Sequence, residues 1–292
     1  MDQETWLFNN CTSLKGKTVA VTGATGDLGR EICKGILFSG GKLLLLNRSI
    51  SRTQALQKEL HALYPDSSIR FLQLDLQNMD SVNQVTEALK QNTPDILLHN
   101  AGIYKVPPVT CSTGLKNVFQ VNFAAPYYMT KRLMPQLEAR RARVVVVGSI
   151  ASNYSGFDPS DPDFSRRDSC QLVYGNSKRF LMYAFARLFE NHPEVDFAMG
   201  HPGISYTNIS DHYPRWLTPI IKPCLKLFFM KPQKACRGIL LALCHPVNPG
   251  FWSGPRYFSI WGNPAVRKLR GCKKEEQEQI FSAAEQIVRK MK

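Results

Sequence analysis

Apolar residues recur along this chain in two alternating rhythms. Residues 17–22 (KTVAVT) form a short buried-strand pattern, and residues 42–47 (KLLLLN) are a continuous apolar run, as expected of a strand covered on both faces. Between them, Leu28, Ile32, Ile36 and Leu37 fall at helical spacing over residues 27–38 until Gly40-Gly41 stops the pattern. The alternation continues with a helix at 52–63 closed by Tyr64-Pro65, a strand at 69–74, a helix at 80–90 and a strand at 95–99. Residues 113–139 read as one long helix or two consecutive ones, and 143–147 is the most β-branched run of the chain. A helix at 174–190 and a strand at 195–200 follow. Such alternation with short turns predicts an α/β fold on a mostly parallel, doubly wound sheet of about seven strands, with helices on both faces.

No linker, repeat or shift in composition divides residues 1–292, so a single domain is expected, with 1–16 as an N-terminal extension. Two stretches break the rhythm. Residues 152–171 are polar and contain Pro159 and Pro162, which reads as an inserted loop. Residues 204–231 mix prolines with Tyr206, Tyr213, Trp216, Leu217 and an apolar cluster at 225–230, as expected of a segment that covers a substrate pocket. Residues 273–292 close the chain as an amphipathic helix, with Ile280, Ala284, Ile287, Val288 and Met291 on the face expected to dock on the body.

Charge changes this picture little. The chain is 43% hydrophobic and 21% charged, with a formal net charge of +14. An excess of that size suits nucleic acid, an anionic membrane surface or a polyanionic cofactor. The basic residues are scattered, with modest clusters at 140–143, 166–167 and 267–274, and no nucleic-acid-binding motif accompanies them. A solvated basic surface is the expectation, with no nucleic-acid partner. The eight cysteines show neither C-x-x-C nor Cys/His ligand spacing, and no secretory signal precedes them. Reduced thiols in a cytoplasmic protein without a metal site are therefore expected. No run approaches the ~20 apolar residues of a membrane span. Peripheral membrane contact and oligomerisation stay open.

Candidate chemistry begins at the first strand's end, Thr22-Gly23-Ala24-Thr25-Gly26-Asp27-Leu28-Gly29-Arg30. Glycines between a first strand and first helix let the backbone approach a pyrophosphate at the helix N-terminus. The second strand ends in Asn47-Arg48-Ser49. An arginine at that point accepts a ribose 2′-phosphate that a carboxylate would repel, which favours NADP(H) over NAD(H), with Arg30 and Arg52 as reinforcement. Farther on, Tyr174 and Lys178 stand four apart and share one helical face. At ~4 Å and an effective dielectric of ~20 the ammonium favours the phenolate by about 4 kcal/mol before desolvation is subtracted. A phenol tuned in this way is a candidate general acid or base.

In chain order, these motifs resemble the short-chain dehydrogenase/reductase (SDR) family, with its Rossmann fold, and within it the retinol-dehydrogenase-like branch of NADP-linked enzymes. The glycine turn is followed by Asp75-Leu76, Asn100-Ala101-Gly102, Asn122, Gly148-Ser149, Tyr174/Lys178 and His201-Pro202-Gly203 with Thr207. The resemblance implies that Tyr174 exchanges a proton with the substrate oxygen and that Ser149 orients that oxygen. Lys178 would hold the nicotinamide ribose and bias Tyr174, and Asn122 would help fix a proton-relaying water. It implies further cofactor contacts at Gly23, Thr25, Gly26, Asp27, Leu28, Gly29, Asn47, Arg48, Asp75, Leu76, Asn100, Ala101, Gly102, Pro202, Gly203 and Thr207. Two departures stand out: Asp27 occupies a position where the family usually has glycine, and His99 replaces a more usual asparagine. His99 and His201 are expected to be packing or turn residues.

The expected activity is NADP(H)-dependent interconversion of a carbonyl and an alcohol on an apolar substrate. Two alternatives are a redox sensor that binds NADP(H) without turnover and an epimerase or dehydratase of the family's extended branch. The intact Ser149/Tyr174/Lys178 set argues against the first. The short chain after His201 argues against the second.

Overall fold

The computed structural model describes residues 2–203, 230–245 and 248–291. Its first half is a regular βα series: α1 (Gln3–Asn10), β1 (Thr18–Thr22), α2 (Asp27–Phe38), β2 (Lys42–Asn47), α3 (Ile50–Leu63), β3 (Ile69–Gln73), α4 (Met79–Gln91) and β4 (Ile96–His99). A short α5 (Asn117–Phe119) passes through a π-helical turn (Gln120–Ala124) into α6 (Ala125–Arg140), and then come β5 (Arg143–Val147), α7 (Ser152–Ser155), α8 (Cys170–Glu190) and β6 (Asp196–Gly200). The remainder comprises α9 (Pro232–Ala235), α10 (Arg237–Cys244), β7 (Phe251–Tyr257), β8 (Trp261–Lys268) and α11 (Lys274–Arg289). The covering segment expected at 204–231, including Thr207, lies outside the described residues up to position 229.

The strands form one eight-stranded sheet in the order β3-β2-β1-β4-β5-β6-β7-β8. Every pairing from β3 to β7 is parallel, and β8 is antiparallel to β7. The sheet is thus one strand larger than expected, and the extra strand closes the edge as a hairpin. Between β1 and β4 the winding reverses direction. A crevice forms outside the strand ends at such a reversal, and it is where ligands bind in this class of sheet.

The continuous apolar runs follow from burial on both faces. In β5, Val144 and Val146 pack into one core with Phe119, Phe123, Phe180 and Phe185, whereas Val145 and Val147 pack into the opposite core with Val21, Leu98, Ile36 and Ile239. The closing helix α11 docks as its stripe predicts, with Ile280 and Ala284 fully buried. The N-terminal extension is also ordered, since α1 buries Trp6 and Leu7 in the second core. α8 begins four residues before the expected start, where the Ser169 hydroxyl caps it by accepting from the Leu172 N–H.

Two histidines are sealed into this framework. The Thr130 hydroxyl donates to the Pro126 carbonyl, so it accepts from His99 Nε2 at 2.8 Å and leaves Nδ1 buried without a partner. Burial pushes His99 down to about 3 and His201 to about 4. Both folded values lie below the unfolded value, so the stability they support is complete above pH ~6.5 and is lost as pH falls. By pH 5 the loss should reach about 2 kcal/mol for each. Urea midpoints measured between pH 7 and 5 should fall accordingly. His99→Asn should flatten that slope by about half, whatever it does to stability at pH 7. On the docked helix, Ile280→Ala should cost about 2–4 kcal/mol in the same titration.

Candidate active site

The glycine turn is built by backbone crowding. Gly23 has φ +67°, and a Cβ there would come within 2.8 Å of Ala101 Cα. A Cβ on Gly29 would meet the Gly23 carbonyl at 2.5 Å. Three side chains then fix the turn. Asn100 donates to the carbonyls of both Thr22 and Gly23, at 3.0 Å each, while the Thr22 hydroxyl accepts from the N–H groups of Asn100 and Ala101. Asn47 accepts from the Ala24 N–H at 2.7 Å and donates to Thr53. Asn100 and Asn47, read from the sequence as cofactor contacts, thus hold the turn, and Asn47 also ties it to Thr53 on α3.

Gly26 is the N-cap of α2 and offers no side chain to the first N–H groups of that helix. Those donors and the positive end of the helix dipole face the crevice, which fits an anionic group. Thr25 and Leu28 line the same turn, and Asp27 is exposed in the first helical turn. There its carboxylate already meets the dipole and competes with any incoming anion.

Arg48 is exposed beyond β2 and borders an open cleft of about 530 Å³ with Gln73, Asp75, Asn78 and Asp80. Arg30, expected to reinforce it, is instead paired with Glu59, which also binds Lys34. Arg52 is exposed at the start of α3. Asp75 turns the chain, accepting from the Gln77 N–H, and Leu76 presents its carbonyl to Gln120.

Across the crevice, β5 ends at Val147 just before Ser149, α8 carries Tyr174 and Lys178, and the π-helical turn carries Asn122. The Ser149 hydroxyl accepts from the Ala151 N–H at 3.2 Å, and the Ser149 side chain lowers the Tyr174 phenol. Gly175 lets the Ala151 carbonyl approach α8, since a Cβ there would lie 2.6 Å from that oxygen. Lys178 is buried, donates to the Val147 carbonyl at 3.0 Å and sits 5.9 Å from the centroid of the Tyr174 ring. Burial lowers its ammonium to about 8. Asn122 lies in the π-helical turn, where its amide bridges the Ile103 carbonyl and the Ser177 hydroxyl and its oxygen accepts from the Ile103 N–H. Pro126, four residues on, has no N–H, so the Asn122 carbonyl is not committed to an α-helical bond. Gly102 closes this corner: a Cβ there would be 3.4 Å from Lys178 Nζ and 3.5 Å from Asn122 Oδ1.

One expectation fails in detail. Burial holds the Tyr174 phenol above its ordinary value, and the Ser149 side chain lowers it only in part. The Coulombic pull expected from Lys178 is not among the causes of this shift, and the ammonium donates to the Val147 carbonyl. Tyr104, which the sequence reading missed, packs its ring 4.8 Å from that of Tyr174 and also raises the phenol. Its only signal was its place two residues after Gly102. Pro202 and Gly203 leave the end of β6, with Gly203 at φ +74° against the β7–β8 hairpin. His201 stacks on Trp252 at 4.6 Å, a packing role as expected. Among the described residues no group of metal-ligating side chains converges.

The sequence and the fold both have close parallels. Residues 17–160 match the family model described as short chain dehydrogenase. An uncharacterised oxidoreductase of Schizosaccharomyces pombe is 30% identical over 82% of this chain and 76% of its own length. Human dehydrogenase/reductase SDR family member 13 is 31% identical over 85% and 67%, and mouse retinol dehydrogenase 14 is 27% identical over 90% and 80%. An uncharacterised protein from Mycobacterium paratuberculosis superposes with a TM-score of 0.77 at 22% identity, covering 96% of each chain. The chain belongs to the short-chain dehydrogenase/reductase family of oxidoreductases, in its retinol-dehydrogenase-like branch.

Proposed function

We propose that this protein is an NADP(H)-dependent oxidoreductase that interconverts a carbonyl and an alcohol on an apolar substrate. The observation that carries the reading is the meeting of Ser149, Tyr174 and Lys178 across the crevice from an uncapped glycine turn. Relatives in the same branch are named retinol dehydrogenases, and a short-chain dehydrogenase from Sphingobium yanoikuyae with this fold (TM-score 0.58, 18% identity) was solved with NADPH.

The turn from Gly23 to Gly29 would hold the diphosphate, Arg48 the 2′-phosphate and Asp75 the adenine. Pro202, Gly203 and Thr207 would border the nicotinamide end. The bound cofactor supplies or accepts the hydride, and the chain supplies position and proton transfer. The Ser149 hydroxyl orients the substrate oxygen beside the Tyr174 phenol. Tyr174 gives its proton to that oxygen in reduction and takes it back in oxidation. A phenol kept neutral by burial suits the reductive direction, because it arrives with its proton in place. Lys178, depressed to about 8, can move a proton near neutral pH and passes it toward the Asn122 corner.

Two measurements test the reading. In an NADPH-oxidation screen across hydrophobic aldehydes, ketones, quinones and steroids, the active chain should turn over at least one class. Tyr174→Phe should then reduce turnover by about 10²–10⁴ while leaving NADPH affinity nearly unchanged. Full turnover in that variant would remove Tyr174 from the mechanism. Separately, Arg48→Asp should weaken NADPH about tenfold or more in a fluorescence titration and leave NADH comparatively unaffected. An unchanged preference would sink the phosphate role.

A further inference from the structure

The β7–β8 hairpin is not used by the site, yet it carries a run of exposed aromatics at its tip. Tyr257 is 60% exposed, Phe258 82% and Trp261 40%, and Tyr257 and Trp261 are directly opposite each other across the two strands. The turn between them is closed by the Ile260 N–H bonding to the Tyr257 carbonyl at 2.9 Å. Its two central residues, Phe258 and Ser259, have φ of +52° and +57°. A turn of this kind selects Asn and Gly, and a bulky L-residue occupies the left-handed region only against a steric penalty. Phe258 makes up for none of that penalty by burial. A strained, exposed phenyl group is the kind of outlier that points to a functional constraint.

The hairpin and the segment after it carry charge of one sign. Residues 251–274 contain Arg256, Arg267, Lys268, Arg270, Lys273 and Lys274 and neither Asp nor Glu. Arg256, Arg267, Lys268 and Arg270 are exposed. Arg256 adjoins the tip and Arg267 reaches its carbonyl from the facing strand, whereas Lys268 is opposite Phe251 at the base of the hairpin. The tip is also braced. The buried His201 sets Nε2 3.0 Å from the Ser259 carbonyl and Nδ1 3.3 Å from the Gly148 carbonyl, tying the turn to the strand end that carries Ser149. β7 runs parallel to its neighbour β6, so the tip projects from the same edge of the sheet as the crevice.

The geometry points to this hairpin tip as a docking element for an anionic membrane surface. Tyr, Trp and Phe seat at the headgroup level of a bilayer, and Arg and Lys beside them are drawn to anionic lipid. The combination favours a membrane over nucleic acid, which would use the basic groups but has no need of a strained phenyl at the apex. Docking would set the crevice's edge of the sheet against the bilayer, where an apolar substrate dissolves. The inference goes beyond the catalytic reading and does not rest on it.

Flotation of the full chain with vesicles tests it. Binding should appear on phosphatidylcholine vesicles with about one third phosphatidylglycerol, fall steeply with added salt, and be weak on phosphatidylcholine alone. Phe258→Asn suits the left-handed turn, so the variant should fold at least as stably and yet bind about tenfold less. The pair Arg256→Glu and Arg267→Glu should abolish the dependence on anionic lipid. Wild-type binding by Phe258→Asn would overturn the proposal. So would retention on heparin without flotation, which would mark a polyanion site, or a dimer in sedimentation that Phe258→Asn dissociates without any vesicle binding.

Discussion

The site depends first on how the turn after β1 is held. A strand end that must present bare backbone to a ligand cannot also satisfy its own polar groups by ordinary sheet pairing. Here the Thr22 and Gly23 carbonyls are taken by one asparagine from β4's end, and the Ala24 N–H by another from β2's end. The neighbours of β1 on both sides thus contribute the clamp, which the reversal of winding between β1 and β4 makes possible. Because Asn47 is buried, losing its amide would leave the Ala24 N–H unpaired in a dry environment and loosen the turn from beneath.

Opposite the turn, desolvation rather than charge pairing sets the electrostatics. Helical spacing places Tyr174 and Lys178 on one face of α8, and a Coulomb argument alone would make the phenol acidic. In the folded chain the ammonium is enclosed by β5, the π-helical turn and Gly102, and its strongest partner is the neutral Val147 carbonyl. Burial disfavours both charged forms, lowering the lysine and raising the tyrosine. A negative group arriving in the crevice would favour the lysine's charged form further.

Much of this was legible in the sequence, for physical reasons. Strands buried on both faces leave unbroken apolar runs, so β1, β2, β4 and β5 stand out, and the apolar stripe of α11 states its own docking face. The β7–β8 hairpin was hidden because Gly254 and Pro255 interrupt β7 and Gly262 and Pro264 interrupt β8, residues that count against a strand in any local reading. The start of α8 was hidden because its cap, Ser169, closes a polar stretch read as loop. Among the site residues, position in the chain order located Ser149, Tyr174 and Lys178. It could not reveal that Asn47 faces the turn or that Arg30 is engaged by Glu59, since both follow from which neighbours lie within a few ångströms.

The hairpin and the crevice share one buried residue, and its hydrogen bonding is incomplete by construction. A neutral His201 has a single N–H, yet each ring nitrogen faces a backbone carbonyl, one on β5's end and one in the turn of the hairpin. Burial keeps the ring neutral, so one carbonyl is always left without its donor. The shorter contact, to Ser259, assigns the proton to the hairpin side, and the stack on Trp252 fixes the ring plane. The Gly148 carbonyl is then the weaker partner, directly before Ser149. The turn of the hairpin and the strand end bearing the serine are thus held against one buried ring.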